Sequence, residues 1–289
     1  MENIMLFVQD QYQYLMSEFM HQEHYLVSKF SNQELFLTLT SIVHNQRCVV
    51  LGSMTAPEDQ ALELLFLLHT LHKSGANKLV LFSPYLGYQR QDQLNVGSSH
   101  GLQWADAMLH AAGVEQIITI EPHNYQSLTS LKIPTLSYTA EYFFEQEMAY
   151  FVSLGFGFVF PDAGAAFRYN WIVEKFPAAL QGFFIKKRLN GMVELESFQG
   201  KVSRKVIIYD DILDSGQTLI QICIALRHMG VEEIVIFVTH VFFHGQAWND
   251  LWSLGVKILY CTDSLPSAHQ IRHPQIYVKS ITYFLKKSI

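Results

Sequence analysis

Residues 205–219, Lys-Val-Ile-Ile-Tyr-Asp-Asp-Ile-Leu-Asp-Ser-Gly-Gln-Thr-Leu, narrow the choice of fold more than any other stretch of the chain. The β-branched run Val206 to Ile208 reads as a strand buried on both faces, the signature of a parallel sheet. It leads into the acidic pair Asp210 and Asp211, so charge is expected where the strand leaves the core. A polar turn, Asp214-Ser215-Gly216-Gln217-Thr218, is followed by a helix with apolar Leu219, Ile222, Cys223 and Leu226 that closes at Gly230. The order is strand, polar loop, helix N-terminus, as in an α/β fold.

Such a loop offers free backbone N–H groups and the positive end of a helix dipole, which together cradle phosphate. The carboxylates before it accept hydrogen bonds from vicinal hydroxyls or hold a hard cation. Both parts suit a sugar phosphate, although an ordinary βα turn capped by Asp or Ser would also read this way. The stretch resembles the phosphoribosyl-binding motif of the type I phosphoribosyltransferase fold. That resemblance implies that Asp210 and Asp211 take the ribose 2- and 3-hydroxyls, and that the loop with Asp214, Ser215, Gly216 and Thr218 takes the 5-phosphate.

The same layout occurs earlier in the chain. Cys48 to Leu51 reads as a strand, Gly52 to Pro57 as a turn, and Glu58 to Lys73 as a helix with apolar Leu62, Leu65, Phe66 and Leu68. Ser74-Gly-Ala-Asn-Lys-Leu-Val-Leu-Phe then matches Met229-Gly-Val-Glu-Glu-Ile-Val-Ile-Phe, Gly75 against Gly230, at a constant offset of 155. The expected fold is two tandem phosphoribosyltransferase-like α/β domains, each a mainly parallel sheet flanked by helices, over residues 1–142 and 143–289. Only the second copy carries the acidic pair; the first has Gly52-Ser53-Met54-Thr55, and no sugar-phosphate site is expected there.

Further elements follow from pattern. Strands are expected at Ile4 to Val8, Tyr25 to Phe30, Lys78 to Phe82, Gln116 to Ile120, Ile133 to Tyr138 and Phe156 to Phe160. Others fall at Val235 to Phe243, Val256 to Tyr260 and Ile276 to Ile281. Helices are expected at Tyr12 to Met20, Trp104 to Ala112 and Gln246 to Leu254, and from the Pro161-Asp162-Ala163-Gly164 turn to Phe176. Asn190-Gly191 marks a hairpin between Phe183 to Leu189 and Met192 to Glu196. The aperiodic segment from Ser83 to His100 is expected to be a long loop.

Several segments together resemble the ribose-phosphate pyrophosphokinase family from about Lys29 to Ile281: Phe30-Ser-Asn-Gln-Glu34, Tyr88-Gln-Arg-Gln-Asp92, the Pro-His at His123, Pro161-Asp-Ala-Gly164, Lys186-Lys-Arg188 and Asp210 to Thr218. The resemblance implies transfer of the β,γ-diphosphate of ATP to the 1-hydroxyl of ribose 5-phosphate, giving phosphoribosyl diphosphate (PRPP) and AMP. It implies that Lys186, Arg188 and His123 are catalytic, and that His123 and Asp162 lie on the Mg2+ side. Phe30, Asn32, Glu34, Arg90 and Gln91 would hold ATP, with Phe30, Asn32 and Glu34 supplied by a neighbouring subunit, hence a homodimer or larger homo-oligomer. The residue types suit that chemistry. Lys186 and Arg188 alternate along a strand and so project to one face, where they can clamp a transferring group, and an aromatic ring with a guanidinium sandwiches a base.

Three positions depart from the family pattern. The loop Gln93 to His100 has no Lys or Arg where closing cations are usual, Gln217 stands where a small residue is usual, and Ala165 where a second Gly is. The depleted loop leaves open a second reading, a weak or inactive homologue that binds nucleotide as a regulatory subunit. A base-consuming phosphoribosyltransferase is a third, opposed by the duplication and by Lys186 and Arg188. The net charge of −6 argues against a general nucleic-acid surface, and no run of 18 apolar residues suggests a membrane span. The scattered Cys48, Cys223 and Cys261 form no metal or disulfide pattern, so a cytoplasmic protein with reduced thiols is expected.

Overall fold

The computed structural model of the protein describes residues 4–18, 21–93, 96–189 and 192–288. The chain divides into two compact units, Met1–Thr139 with Ile281–Ile289, and Ala140–Ser280.

The first unit begins with β1 (Ile4–Val8), a 3-10 helix over Asp10–Glu18, and the strands β2 (Tyr25–Lys29), β3 (Leu35–Leu39) and β4 (Arg47–Leu51). Then come helix α1 (Glu58–Lys73), β5 (Lys78–Ser83), helix α2 (Gly101–Ala111), β6 (Gln116–Ile120) and β7 (Thr135–Tyr138). Five strands form one parallel sheet in the order β1-β4-β5-β6-β7, while β2 and β3 pair as a separate antiparallel hairpin. The hairpin partner β3 has no turn dipeptide to announce it and was not expected from pattern. The segment after β1 coils more tightly than the expected α-helix.

Helix α1 covers the residues expected of it but turns a different side to the sheet. Ala61, Leu64, Leu67, Leu68 and Leu71 are buried, whereas the expected Leu62 and Phe66 are 49% and 39% exposed. Eight of its sixteen residues are apolar if Ala is counted, running most of the way round, so periodicity alone does not choose the face. Packing against the sheet does.

The second unit holds α3 (Glu141–Ser153), β8 (Gly157–Phe160), α4 (Ala163–Arg168), α5 (Asn170–Lys175), β9 (Gln181–Leu189) and β10 (Met192–Gly200). It continues with β11 (Lys205–Leu213), α6 (Gln217–His228), β12 (Glu233–Val241), α7 (Asp250–Ser253), β13 (Val256–Thr262), α8 (Pro266–Gln270) and β14 (Ile276–Lys279). Its sheet runs β10-β9-β8-β11-β12-β13-β14, parallel except for β10. The order β8-β11-β12-β13-β14 repeats β1-β4-β5-β6-β7, and β12 begins at the repeat offset from β5. The turn dipeptide Asn190-Gly191 lies outside the described residues, but the strands on either side pair antiparallel, Leu189 with Met192.

The expected division at 142/143 differs from the observed one in two places. Helix α3 belongs wholly to the second unit. The last helix, α9 (Thr282–Ser288), belongs to the first, because Phe284 stacks on Tyr138 with ring centroids 4.3 Å apart and Leu285 is fully buried. An amphipathic helix docks wherever a matching apolar surface remains, and sequence position does not reveal which unit offers it.

Candidate active site

The strands of both sheets end in loops at their C-terminal edges, where open α/β sheets bind ligands. In the second unit β11 does not stop at the acidic pair. Its ladder with β12 continues through Asp210↔Val238, Ile212↔His240 and Leu213↔Val241, because Ile212 and Leu213 resume the apolar pattern. Asp210 and Asp211 therefore lie within the strand, and their carboxyls are close enough to act on each other.

The two carboxylates meet different surroundings. Asp211 is 2% exposed, and its Oδ1 accepts from Nη1 of Arg168 at 2.9 Å. Asp210 is half-buried, and its Oδ1 accepts from the backbone N–H of Asp211 at 3.0 Å. Burial, then the charge of Asp211, raise the Asp210 carboxyl well above the ordinary range, against a smaller opposing pull from Lys186 and Arg168.

Asp162 follows β8 and caps α4, its Oδ1 accepting from the N–H of Ala165 at 2.9 Å. Its Oδ2 accepts from Nζ of Lys186 at 2.8 Å. Burial raises the Asp162 carboxyl, but Lys186, the Ala165 amide and Arg168 outweigh it, and the net shift is downward. Lys186 sits on β9 opposite Leu195, with Lys187 exposed beside it. The backbone of Arg188 pairs with Val193, and its side chain lies outside the described residues. Ala165 is buried, so its methyl group is accommodated within the packing.

Arg168 was missed in the sequence. The one available signal was its place six residues after Asp162, at the far end of the short helix that Asp162 caps. For its guanidinium, burial lowers the pKa, but Asp211, Tyr169 and Asp210 together outweigh that and the net shift is upward. Three carboxylates, Asp162, Asp210 and Asp211, thus meet the cations Lys186 and Arg168.

The phosphate-cradle loop is braced. Gly216 has φ +86°, and a Cβ there would lie 2.9 Å from Cα and Cβ of Trp248. The N–H groups of Phe242 and His244 donate to the carbonyls of Leu213 and Asp214 at 2.7 and 3.1 Å, and His244 Nδ1 lies 2.6 Å from Asp214 Oδ1. Ser215 is half-buried, and Gln217 and Thr218 open α6 with exposed side chains, so Gln217 points out to solvent. The first-turn N–H groups of this helix have no partners within it.

In the first unit the tip of the β2–β3 hairpin exposes Phe30, Asn32 and Glu34, with Phe30 5.3 Å from Phe36 between centroids. The tip is a tight turn, Phe30 N–H to Glu34 carbonyl at 2.9 Å, with Asn32 Oδ1 accepting from the Glu34 N–H at 3.2 Å. Arg90 and Gln91 are exposed on the loop after β5, and His123 is half-buried after β6. These two loops are tied together: Gln89 Oε1 accepts from the His123 N–H at 2.9 Å, and Asn124 Nδ2 donates to Asp92 Oδ2 at 2.7 Å.

The first unit's counterpart of the phosphate cradle is filled. Tyr12, fully buried, donates from its hydroxyl to Ser53 Oγ at 2.8 Å, Ser53 Oγ lies 3.1 Å from Ser83 Oγ, and Gln9 Oε1 accepts from the Ser53 N–H at 3.1 Å. A buried hydroxyl network with an aromatic ring therefore fills the strand-to-helix loop of the first unit.

A sequence profile for the N-terminal domain of ribose phosphate pyrophosphokinase matches residues 13–113. A ribose-phosphate pyrophosphokinase of Brucella melitensis is 28% identical over 260 residues, spanning 88% of this chain and 84% of the relative. That of Sulfurisphaera tokodaii is 29% identical over 244 residues, spanning 80% and 81%. The crystal structure of phosphoribosylpyrophosphate synthetase from Mycobacterium smegmatis superposes with a TM-score of 0.87 at 22% identity, covering 99% of this chain and 97% of that one, and shares its fold. Over most of its length the chain is therefore similar to ribose-phosphate pyrophosphokinases, and the profile of their N-terminal domain covers residues 13–113.

Proposed function

We propose that the protein transfers the β,γ-diphosphate of ATP to the 1-hydroxyl of ribose 5-phosphate, forming PRPP and AMP. The observation that carries this reading is the second unit's charged cluster, in which Lys186 holds Asp162 and acts electrostatically on Asp210, upstream of a braced phosphate cradle. In this reading the ribose hydroxyls bind at Asp210 and Asp211, and the 5-phosphate at Asp214, Ser215, Gly216 and Thr218. The sugar's 1-oxygen attacks the β-phosphorus, the bond from that phosphorus to the α-β bridging oxygen breaks, AMP leaves, and the hydroxyl proton passes to solvent.

Charge builds on the phosphoryl oxygens during this displacement, so catalysis depends on positioned cations. Lys186, moving from Asp162 Oδ2 to a phosphate oxygen, exchanges one charge-assisted hydrogen bond for another. Arg188, two residues further along the same strand, is assigned as the second cation. His123, and Phe30, Asn32, Glu34, Arg90 and Gln91, make up the nucleotide side, with the hairpin residues supplied by a neighbouring copy in a homodimer or larger assembly.

Mg2+ is held in such chemistry mainly by substrate phosphates with one or two protein ligands, and a carboxylate such as Asp162 is a hard donor suited to it. Asp162 and His123 would hold it, and it would neutralise phosphate charge. Among the described residues no helix is long and apolar enough to cross a membrane.

An AMP-release assay with ATP, ribose 5-phosphate and Mg2+ tests the reading. AMP should form only with all three present, and Lys186→Ala should lower the rate by about 10²–10³-fold. Nucleotide binding by calorimetry with no AMP formed under any divalent cation would overturn it.

A further inference from the structure

Asp211 is nearly excluded from solvent, and an ionised carboxylate there is costly unless it is paired. Its partner is built in. The Arg168 guanidinium carbon sits 5.5 Å from the Tyr169 ring centroid, and Nη1 reaches the Tyr169 hydroxyl at 3.5 Å. Tyr169 is fully buried and packs edge-on against Tyr209 at 4.4 Å, and Tyr209 immediately precedes the acidic pair. One aromatic wall thus fixes both the cation and the strand that carries the carboxylates. The two ends of α4 do different things: Asp162 at its start binds Lys186, and Arg168 at its end binds Asp211.

We propose that Arg168 is a positioning residue for the sugar side of the reaction, holding Asp211 ionised and oriented to accept a ribose hydroxyl. This rests on the preceding reading and adds to it a residue that neither the motif comparison nor the relatives' names assign. Guanidinium does not lose its proton in proteins, so it keeps Asp211 charged, and its simultaneous contacts with Asp211 and with the Tyr169 ring and hydroxyl are not reproduced by lysine.

The test uses the full-length protein with Arg168→Gln, Arg168→Lys, Asp211→Asn and the Arg168→Gln/Asp211→Asn double variant. Calorimetry reads ribose 5-phosphate affinity, and steady-state AMP formation reads the two KM values separately. Arg168→Gln should weaken ribose 5-phosphate binding by about 10–100-fold, the range seen when an outer supporting partner is removed, with KM for ATP changed less than about threefold. Arg168→Lys should fall between. The double variant should be no worse than the weaker single one, because paired residues act as a unit.

Wild-type affinity in Arg168→Gln, equal losses for both substrates, or additive losses in the double variant would each overturn the inference. If Arg168→Gln does not fold, Arg168→Lys carries the test, and unchanged sugar affinity there overturns it. A wild-type protein that binds no ribose 5-phosphate would instead sink the functional reading itself.

Discussion

Asp210 carries its charge under protest: burial and the neighbouring Asp211 raise its pKa, so ionising it costs folding free energy. A carboxyl whose folded pKa lies above its unfolded one is not penalised below the unfolded value, and the penalty grows as pH rises towards the folded value. Asp210→Asn keeps an oxygen to accept the Asp211 N–H and removes the charge. The variant should therefore melt above wild type at pH 8, with the gap closing near pH 4, while losing ribose 5-phosphate affinity; thermal melts at the two pH values decide it. Asp162 shows the opposite sign. Its lowered pKa stabilises above the unfolded carboxyl value, and that contribution is lost as pH falls through the folded one. At Gly216 a methyl group meets both a left-handed backbone and Trp248. Gly216→Ala should cost about 1–3 kcal/mol or more, seen as a drop of several degrees in Tm.

Helix α4 is six residues long and too short to persist alone, so its position is set by Asp162 at one end and Arg168 at the other. Asp162→Ala removes the cap and strands Lys186 without its partner. The cap alone is worth about 1 kcal/mol. The expected result is a lower Tm together with loss of AMP formation, whereas Asp162→Asn, which can still cap, should keep most of the stability and lose the activity. The β2–β3 hairpin is the reverse case, an element with Leu26, Phe30 and Phe36 exposed at 63%, 53% and 48%. Its stability comes from five paired residues on each strand and from Leu37, Tyr25 and Leu39 packing on the first unit's core, while its exposed apolar side suits the contact with a neighbouring copy proposed above.

At the scale of the whole molecule the chain carries one fold twice with different loops at the strand ends: a buried hydroxyl network of Tyr12, Ser53 and Ser83 in the first unit, and Arg168 with the acidic pair in the second. The C-terminal helix α9 returns to the first unit, so deleting residues 281–288 uncovers Tyr138 and removes the buried Leu285 and Phe284. Hydrogen exchange should then show lost protection in β7 and retained protection in β11 and β12; equal loss in both sheets would contradict the assignment.

The sequence by itself determined the α/β class, the duplication, and the strand, loop and helix that form the phosphate cradle, because each depends on local periodicity and on turn chemistry within a few residues. It also singled out Asp162, Lys186, Asp210 and Asp211 one by one, and the structure brings them together. Only the tertiary structure decided which face of α1 is buried, that Ile212 and Leu213 carry β11 past the acidic pair, that Arg168 meets Asp211, and that α9 docks on the first unit. Those outcomes come from packing and pairing between segments far apart in the chain, where several partners satisfy the same local pattern and burial selects among them.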